Sequence, residues 1–110
     1  MPDKFFILEN KLELLKIPLH DIYYFEKIKG THNTCVVYTG GISTFKSDLR
    51  DVCYQLDSNF IQSHKSFIAN VAMIIRIEKF RTYSVLHFGN DVCCPCSMMY
   101  RTEVLKFWKG

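Results

Sequence analysis

Apolar residues in this chain recur in short runs, each cut off by a polar, proline or glycine break, which is the pattern of a domain assembled from strands. Phe5 to Leu8 and Leu12 to Ile17 are β-type runs around a hairpin-like break at Glu9-Asn10-Lys11. Pro18 interrupts the pattern, and the aromatic and β-branched run Ile22-Tyr23-Tyr24-Phe25-Glu26 predicts a strand. Lys29-Gly30-Thr31-His32-Asn33 predicts a loop. Thr34 to Thr39 and Ile42 to Phe45 predict a hairpin about Gly40-Gly41, because paired glycines tolerate the positive φ that a tight turn requires. Phe60 to Ser63 and Met73 to Ile77 read as strands on either side of a polar knot, His64-Lys65-Ser66, with Asn70 suited to a tight turn. Tyr83 to Phe88 predicts a strand closing on Gly89-Asn90-Asp91, and Val92 to Cys96 a short strand after it.

Only two stretches carry helical spacing. From Ser47 to Leu56, Leu49, Val52, Cys53 and Leu56 fall on one face, with Ser47 placed to cap and Asp48 in the first turn. Ser97 is placed as a second N-cap, opening a terminal helix from Met98 to Phe107. The expected fold is therefore mostly β, with seven or more short strands and two helices.

Composition bounds this picture without changing it. The 110 residues, 48% hydrophobic and 23% charged, predict one globular domain over 1–110. The longest uncharged apolar stretch, Phe67 to Ile75, is interrupted by Asn70 and is far short of a membrane span. Lys4 is the only early basic residue and Glu9 breaks the apolar run behind it, so no signal peptide is read and a cytoplasmic chain without membrane contact is expected. The net charge of +3 permits an anionic partner without requiring one. Placement says more: Lys27 and Lys29 flank the Gly30-to-Asn33 turn, Lys65 lies in the knot, and Arg101, Lys106 and Lys109 crowd the C-terminal end, which predicts a basic face.

The candidate chemistry narrows from there. Cys93, Cys94 and Cys96 with His87 nearby invite a metal reading, but structural zinc favours two separated pairs and no second pair exists. On a strand Cys94 and Cys96 share a face and Cys93 points away; buried thiols acting as small hydrophobes account for the run, and neither a metal nor a cofactor is expected. The histidines are scattered, the acids lie on the helix and in turns, and there is no glycine-rich phosphate loop, so no enzyme is expected. What remains is three polar clusters, Lys29 to Asn33, His64 to Ser66 and Ser97 to Arg101, each joining or following strands. Brought to one edge, Thr31, Ser66 and Ser97 would meet phosphates through their hydroxyls, and His32, Lys65 and Arg101 would reach a guanine edge or a phosphate. A second reading stays open, a thiol-sensing or protein-interaction module on the same scaffold, from the Cys93-Cys94-Pro95-Cys96 run beside the last cluster.

The residues also carry a resemblance. Ile17 to Glu26, the central Phe60 to Asn70 with the Ile74 to Ile77 strand, and Gly89-Asn90-Asp91 leading to Cys94-Pro95-Cys96-Ser97 and Tyr100 are similar, in order and spacing, to the LytTR-type DNA-binding domain, the output module of a class of bacterial response regulators. The resemblance spans roughly Ile17 to Leu105. It implies short antiparallel sheets in an elongated β-β-β sandwich-like arrangement with one or two short helices. It also implies a sequence-specific transcriptional regulator that holds double-stranded promoter DNA through loops, pairing as a dimer on direct repeats. Base and phosphate contacts would come from Thr31, His32 and Asn33, from Lys65 and Ser66, and from Ser97, Met98, Met99, Tyr100 and Arg101. No phosphoacceptor receiver domain is read within the sequence. Where the family carries arginine just after the serine, this chain has Met98 and Met99, with Arg101 displaced. Methionine offers apolar contact with a thymine methyl instead, which leaves Lys65 and His32 to carry more of the recognition.

Overall fold

Three antiparallel sheets are stacked so that the middle one has a covered face on each side. The structure, a computed structural model, describes residues 4–110. The first sheet is a hairpin of β1 (Phe5–Glu9) and β2 (Leu14–Pro18). The central sheet begins with a meander of β3 (Ile22–Lys27), β4 (Asn33–Tyr38) and β5 (Gly41–Lys46). After the short helix α1 (Leu49–Cys53), the hairpin of β6 (Phe60–His64) and β7 (Phe67–Asn70) joins the free side of β3, giving the order β5-β4-β3-β7-β6. The third sheet holds β8 (Arg76–Lys79), β9 (Tyr83–His87) and β10 (Cys93–Ser97), and the chain ends in α2 (Met98–Lys109).

Period-two alternation distributes the core to both faces of the central sheet. One face carries Phe25, Val36, Phe45 and Ile68 against Phe6, Leu8 and Ile17 of the first sheet and Val52 of α1. Phe6 and Phe25 meet edge-on, 4.9 Å between ring centroids. The other face presents Val37 and Ala69 to Leu86, Cys94, Cys96 and Val104, so the third sheet and α2 close it. A β-bulge between Ile22 and Tyr24 lets Tyr23 join this second core while Ile22 stays in the first. Each fully buried large side chain contributes about 1.5–3 kcal/mol, which is what fixes the two outer layers to the middle one.

The mostly-β expectation holds, and the differences are local. The predicted helix from Ser47 to Leu56 is helical only over Leu49–Cys53; Asp48 takes the capping position, and the Ser47 hydroxyl donates to the Asp48 carbonyl. The strand expected at Met73 to Ile77 begins at Arg76, because Val71–Met73 forms a 3-10 turn. Asn70 does start that turn: its Oδ1 accepts from the Ala72 N–H at 3.2 Å. Its amide, however, is buried and donates to the Leu19 and Ile22 carbonyls, tying β7 to the start of β3. Leu12 lies outside β2 and is almost fully exposed, in a loop closed by Asn10, whose Oδ1 accepts from the N–H groups of Leu12 and Glu13. The Asn10 amide also donates to the Thr44 carbonyl on β5, the open edge of the central sheet, at 2.8 Å. The β4–β5 hairpin forms as predicted, but its two-residue loop is Thr39-Gly40, one position earlier than the Gly40-Gly41 expected: Gly41, with φ +137, already pairs with Tyr38 as the first residue of β5, and a Cβ on Gly40 would sit 2.6 Å from the Tyr38 ring. Among the described residues no helix is long and apolar enough to cross a membrane.

Candidate nucleic-acid interface

The first two polar clusters meet at one end of the central sheet because both issue from β3 and its neighbour β7. Lys27, the last residue of β3, donates its N–H to the Ser66 carbonyl at 2.8 Å, joining the β3–β4 loop directly to the β6–β7 turn. The β3–β4 loop is built from its own polar groups. Ile28 N–H donates to the Asn33 carbonyl at 2.9 Å, and Gly30 supplies a left-handed position with φ +79. The Thr31 hydroxyl donates to the Ile28 carbonyl at 2.8 Å and accepts from Asn33 N–H at 3.0 Å. Its proton is therefore committed to the loop, so Thr31 shapes this cluster and Lys29 and His32 are the exposed side chains it presents. Lys27 Nζ also folds inward, donating to the Thr31 carbonyl at 2.8 Å and lying 3.4 Å from the Asp48 carboxylate.

The β6–β7 turn is held just as tightly. Ser66 N–H donates to His64 Nδ1 at 3.1 Å, and the Gln62 amide donates to the carbonyls of His64 and Lys65 at 3.1 and 3.4 Å. A ring nitrogen that accepts carries no proton, so the His64 proton sits on Nε2. The His64 ring stands edge-on to Phe67, 5.4 Å away. Lys65 is thereby left exposed at the tip of a rigid turn, with Ser66 half-buried beside it.

The third cluster reaches the same edge through a different bond. Ser63 is skipped by the β6–β7 ladder, fully buried, and its hydroxyl donates to the Pro95 carbonyl of β10 at 2.9 Å. Lys65 and Ser97 each lie two residues beyond that bond, which holds their backbones within about 20 Å. Ser97 occupies the capping position of α2, as predicted, yet makes no side-chain cap bond, so its hydroxyl and the first N–H groups of the helix stay available. Met98 and Met99 are exposed, Met99 at 84%, while Tyr100 and Arg101 are half-buried. Arg101 leans back over its own helix, donating to Met98 Sδ at 3.3 Å. Val104, fully buried, and Trp108, whose indole N–H donates to the Ile74 carbonyl at 2.9 Å, fasten the rest of α2. Lys106 and Lys109 lie in its last turn, about 13 to 18 Å along the axis from Ser97, so the predicted basic face does not gather all its members.

The cysteines behind this edge are packing residues. Cys94 and Cys96 are buried on one face of β10 and Cys93 is exposed on the other, and all five thiols of the chain are free. Burial pushes the Cys94 thiol up to about 12, against the small opposing pull of the Ser63 hydroxyl 4.0 Å away. Burial likewise raises Cys96, with Arg101 drawing it back. Burial that raises both thiols makes them poor nucleophiles, which counts against Cys94 and Cys96 in the thiol-sensing reading and leaves it to the exposed Cys93. Tyr24, beneath them, is pushed up to about 12, first by burial and then by Cys94 and Glu26.

The sequence model of the LytTr DNA-binding domain matches residues 13–109. The chain belongs to the LytTr DNA-binding domain family. A solved LytTr DNA-binding domain, from a Bacillus cereus protein assigned as a methyl-accepting/DNA response regulator, superposes with a TM-score of 0.81 at 25% identity, covering 96% of this chain and 96% of that one. No curated protein sequence matches this one. As a LytTr domain the chain has its three polar clusters tied together by two hydrogen bonds, Lys27 to Ser66 and Ser63 to Pro95. Sequence reasoning missed Gln62 and Ser63, the two residues that build and tether the central turn. Both lie inside the Phe60 to Asn70 stretch that carries the resemblance, but only the register shift of β6 against β7 and the Ser63 contact with Pro95 expose their part.

Proposed function

We propose that this LytTr domain is a sequence-specific, double-stranded DNA-binding transcriptional regulator, the output part of a bacterial response regulator acting in the cytoplasm. The observation that carries the reading is the pair of tethers that bring three donor-rich segments to one edge of a DNA-binding family's fold. His32 and Lys65, exposed at the tips of two rigid loops, are assigned to base edges and adjoining phosphates. Ser66, Ser97 and the first N–H groups of α2 are assigned to phosphates, which a helix N-terminus favours through its dipole. Met98 and Met99 are assigned to apolar contact with thymine methyl groups, with Tyr100 and Arg101 at the rim. Asn33 and Thr31 hold the first loop in shape. Two chains are expected on one duplex bearing a direct repeat.

A salt series of binding to duplexes selected from a random pool tests this. Log affinity is expected to fall linearly with log salt, since each neutralised phosphate releases counterions. Lys65→Ala is expected to lose about 1–3 kcal/mol on the selected site and to flatten discrimination at one base position. Absence of duplex binding at every salt concentration rules the reading out.

A further inference from the structure

Beyond the three clusters, a fourth element reaches the same edge. In the third sheet Tyr83 lies directly opposite Ser97, the residue that opens α2. Directly opposed side chains on one face have their Cβ atoms about 5 Å apart, so the β8–β9 hairpin ends where the third cluster begins. Phe80 N–H donates to the Tyr83 carbonyl at 2.9 Å, closing that hairpin. The rings of Phe80 and Tyr83 stack above the turn, 4.9 Å apart and 16° from parallel, yet remain 41% and 44% exposed. Between them stands Arg81, and just before them Lys79, both exposed. Neither has an acidic partner among the described residues. The neighbouring carboxylate, Glu78, is taken by His87 at 3.0 Å with Arg76 at 3.9 Å.

We infer that the hairpin tip from Lys79 to Tyr83 is a further DNA-contacting element, gripping the sugar-phosphate backbone beside the first turn of α2. The inference rests on the DNA-binding reading above and extends its surface. The aromatic stack stiffens a turn that would otherwise be mobile, so the two cations are held out without an internal partner to neutralise them. Unpaired cations on a preordered tip suit phosphates, whose positions do not depend on base sequence. Arg81 takes one phosphate by its planar fork and Lys79 a neighbouring one as a point charge.

The test compares wild-type chain, R81A and the double variant K79A/R81A on a selected duplex and on a scrambled duplex over a salt series. The log affinity against log salt slope is expected to shrink by about one for R81A and about two for the double variant. The ratio of affinities between the two duplexes is expected to stay unchanged. Unaltered slope and affinity in both variants, while Lys65→Ala weakens binding, overturns this inference and leaves the proposed function standing. A loss confined to the selected duplex overturns the phosphate assignment. Failure of the wild-type chain to bind either duplex overturns both readings together.

Discussion

The loops of the central sheet and the start of α2 face the same edge but are prepared for contact in opposite ways. In the β3–β4 loop and the β6–β7 turn the backbone is bonded within the loop by Thr31, Gln62 and His64 side chains, and Lys29, His32 and Lys65 are left exposed. At the start of α2 the reverse holds: Ser97 caps nothing, the first N–H groups lack intrahelical partners, and two flexible methionines are exposed. A prearranged tip loses little entropy on binding, so it is suited to discrimination. Under the proposed reading, an open helix end with adaptable side chains would accept whichever phosphate and methyl group the loops deliver. Rigidity in two segments permits looseness in the third.

Substitutions separate these regions, the largest expected effect first. Phe25→Ala removes the ring at the centre of the aromatic core beneath β3, from which both loops spring, and is expected to cost about 3–5 kcal/mol in urea denaturation. A loss that small-residue repacking held below 1 kcal/mol, on the same principle, would show that β3 does not support the loops. Ser63→Ala leaves the Pro95 carbonyl without its donor and is expected to cost about 1–3 kcal/mol of stability. Its affinity for a selected duplex should also fall, because the tether between the loops and the helix end is gone. Ser97→Ala sharpens the contrast. An N-cap serine that bonds its helix is worth about 1 kcal/mol, but this one makes no such bond, so a change below about 0.5 kcal/mol is expected together with weaker DNA binding.

Alkaline pH probes the packing under the helix end. Cys94 and Tyr24 both have folded-state values near 12, above the ordinary 9.0 and 10.0, because burial opposes the charged form. Below pH 9 neither group favours the unfolded chain. Between pH 9 and 12 the unfolded chain releases protons that the folded one retains, so stability falls as pH rises. Cys94→Ala is expected to make that decline shallower by about one proton, and an unchanged slope would place the thiol in water.

Much of the fold was legible because local chemistry and tertiary structure agree. A glycine pair marks the β4–β5 hairpin, with Gly41 at φ +137, Tyr83 and Val85 mark a strand, and Ser97 stands where α2 starts. The β6–β7 hairpin was not legible as such. Its turn contains neither glycine nor a local asparagine and is closed by Gln62 and His64 side chains, while Asn70 spends its amide on carbonyls some fifty residues earlier in the chain. Helix α1 is shorter than its apolar spacing suggests: Val52 is buried and Leu49 and Leu56 pack at the margin of the first core, but Cys53 is exposed and the α-helix ends there. At the candidate interface the exposed tips could be named from composition. Tethers between strands distant in sequence, such as Ser63 to Pro95, leave no periodic trace.

The amide of Asn10 on the Thr44 carbonyl has a bearing on how this protein behaves when gathered along a polymer. Molecules lined up on a nucleic acid are brought to high local concentration, the condition under which an open strand recruits a like strand and begins a fibre. β5 is such a strand, with Ile42 and Thr44 facing solvent and Lys46 at its end. A side chain reaching over from the first hairpin fills one rung of its backbone ladder and puts a loop in the way, and the charge of Lys46 repels a copy in register. The edge is thereby blunted against pairing with a strand of another copy.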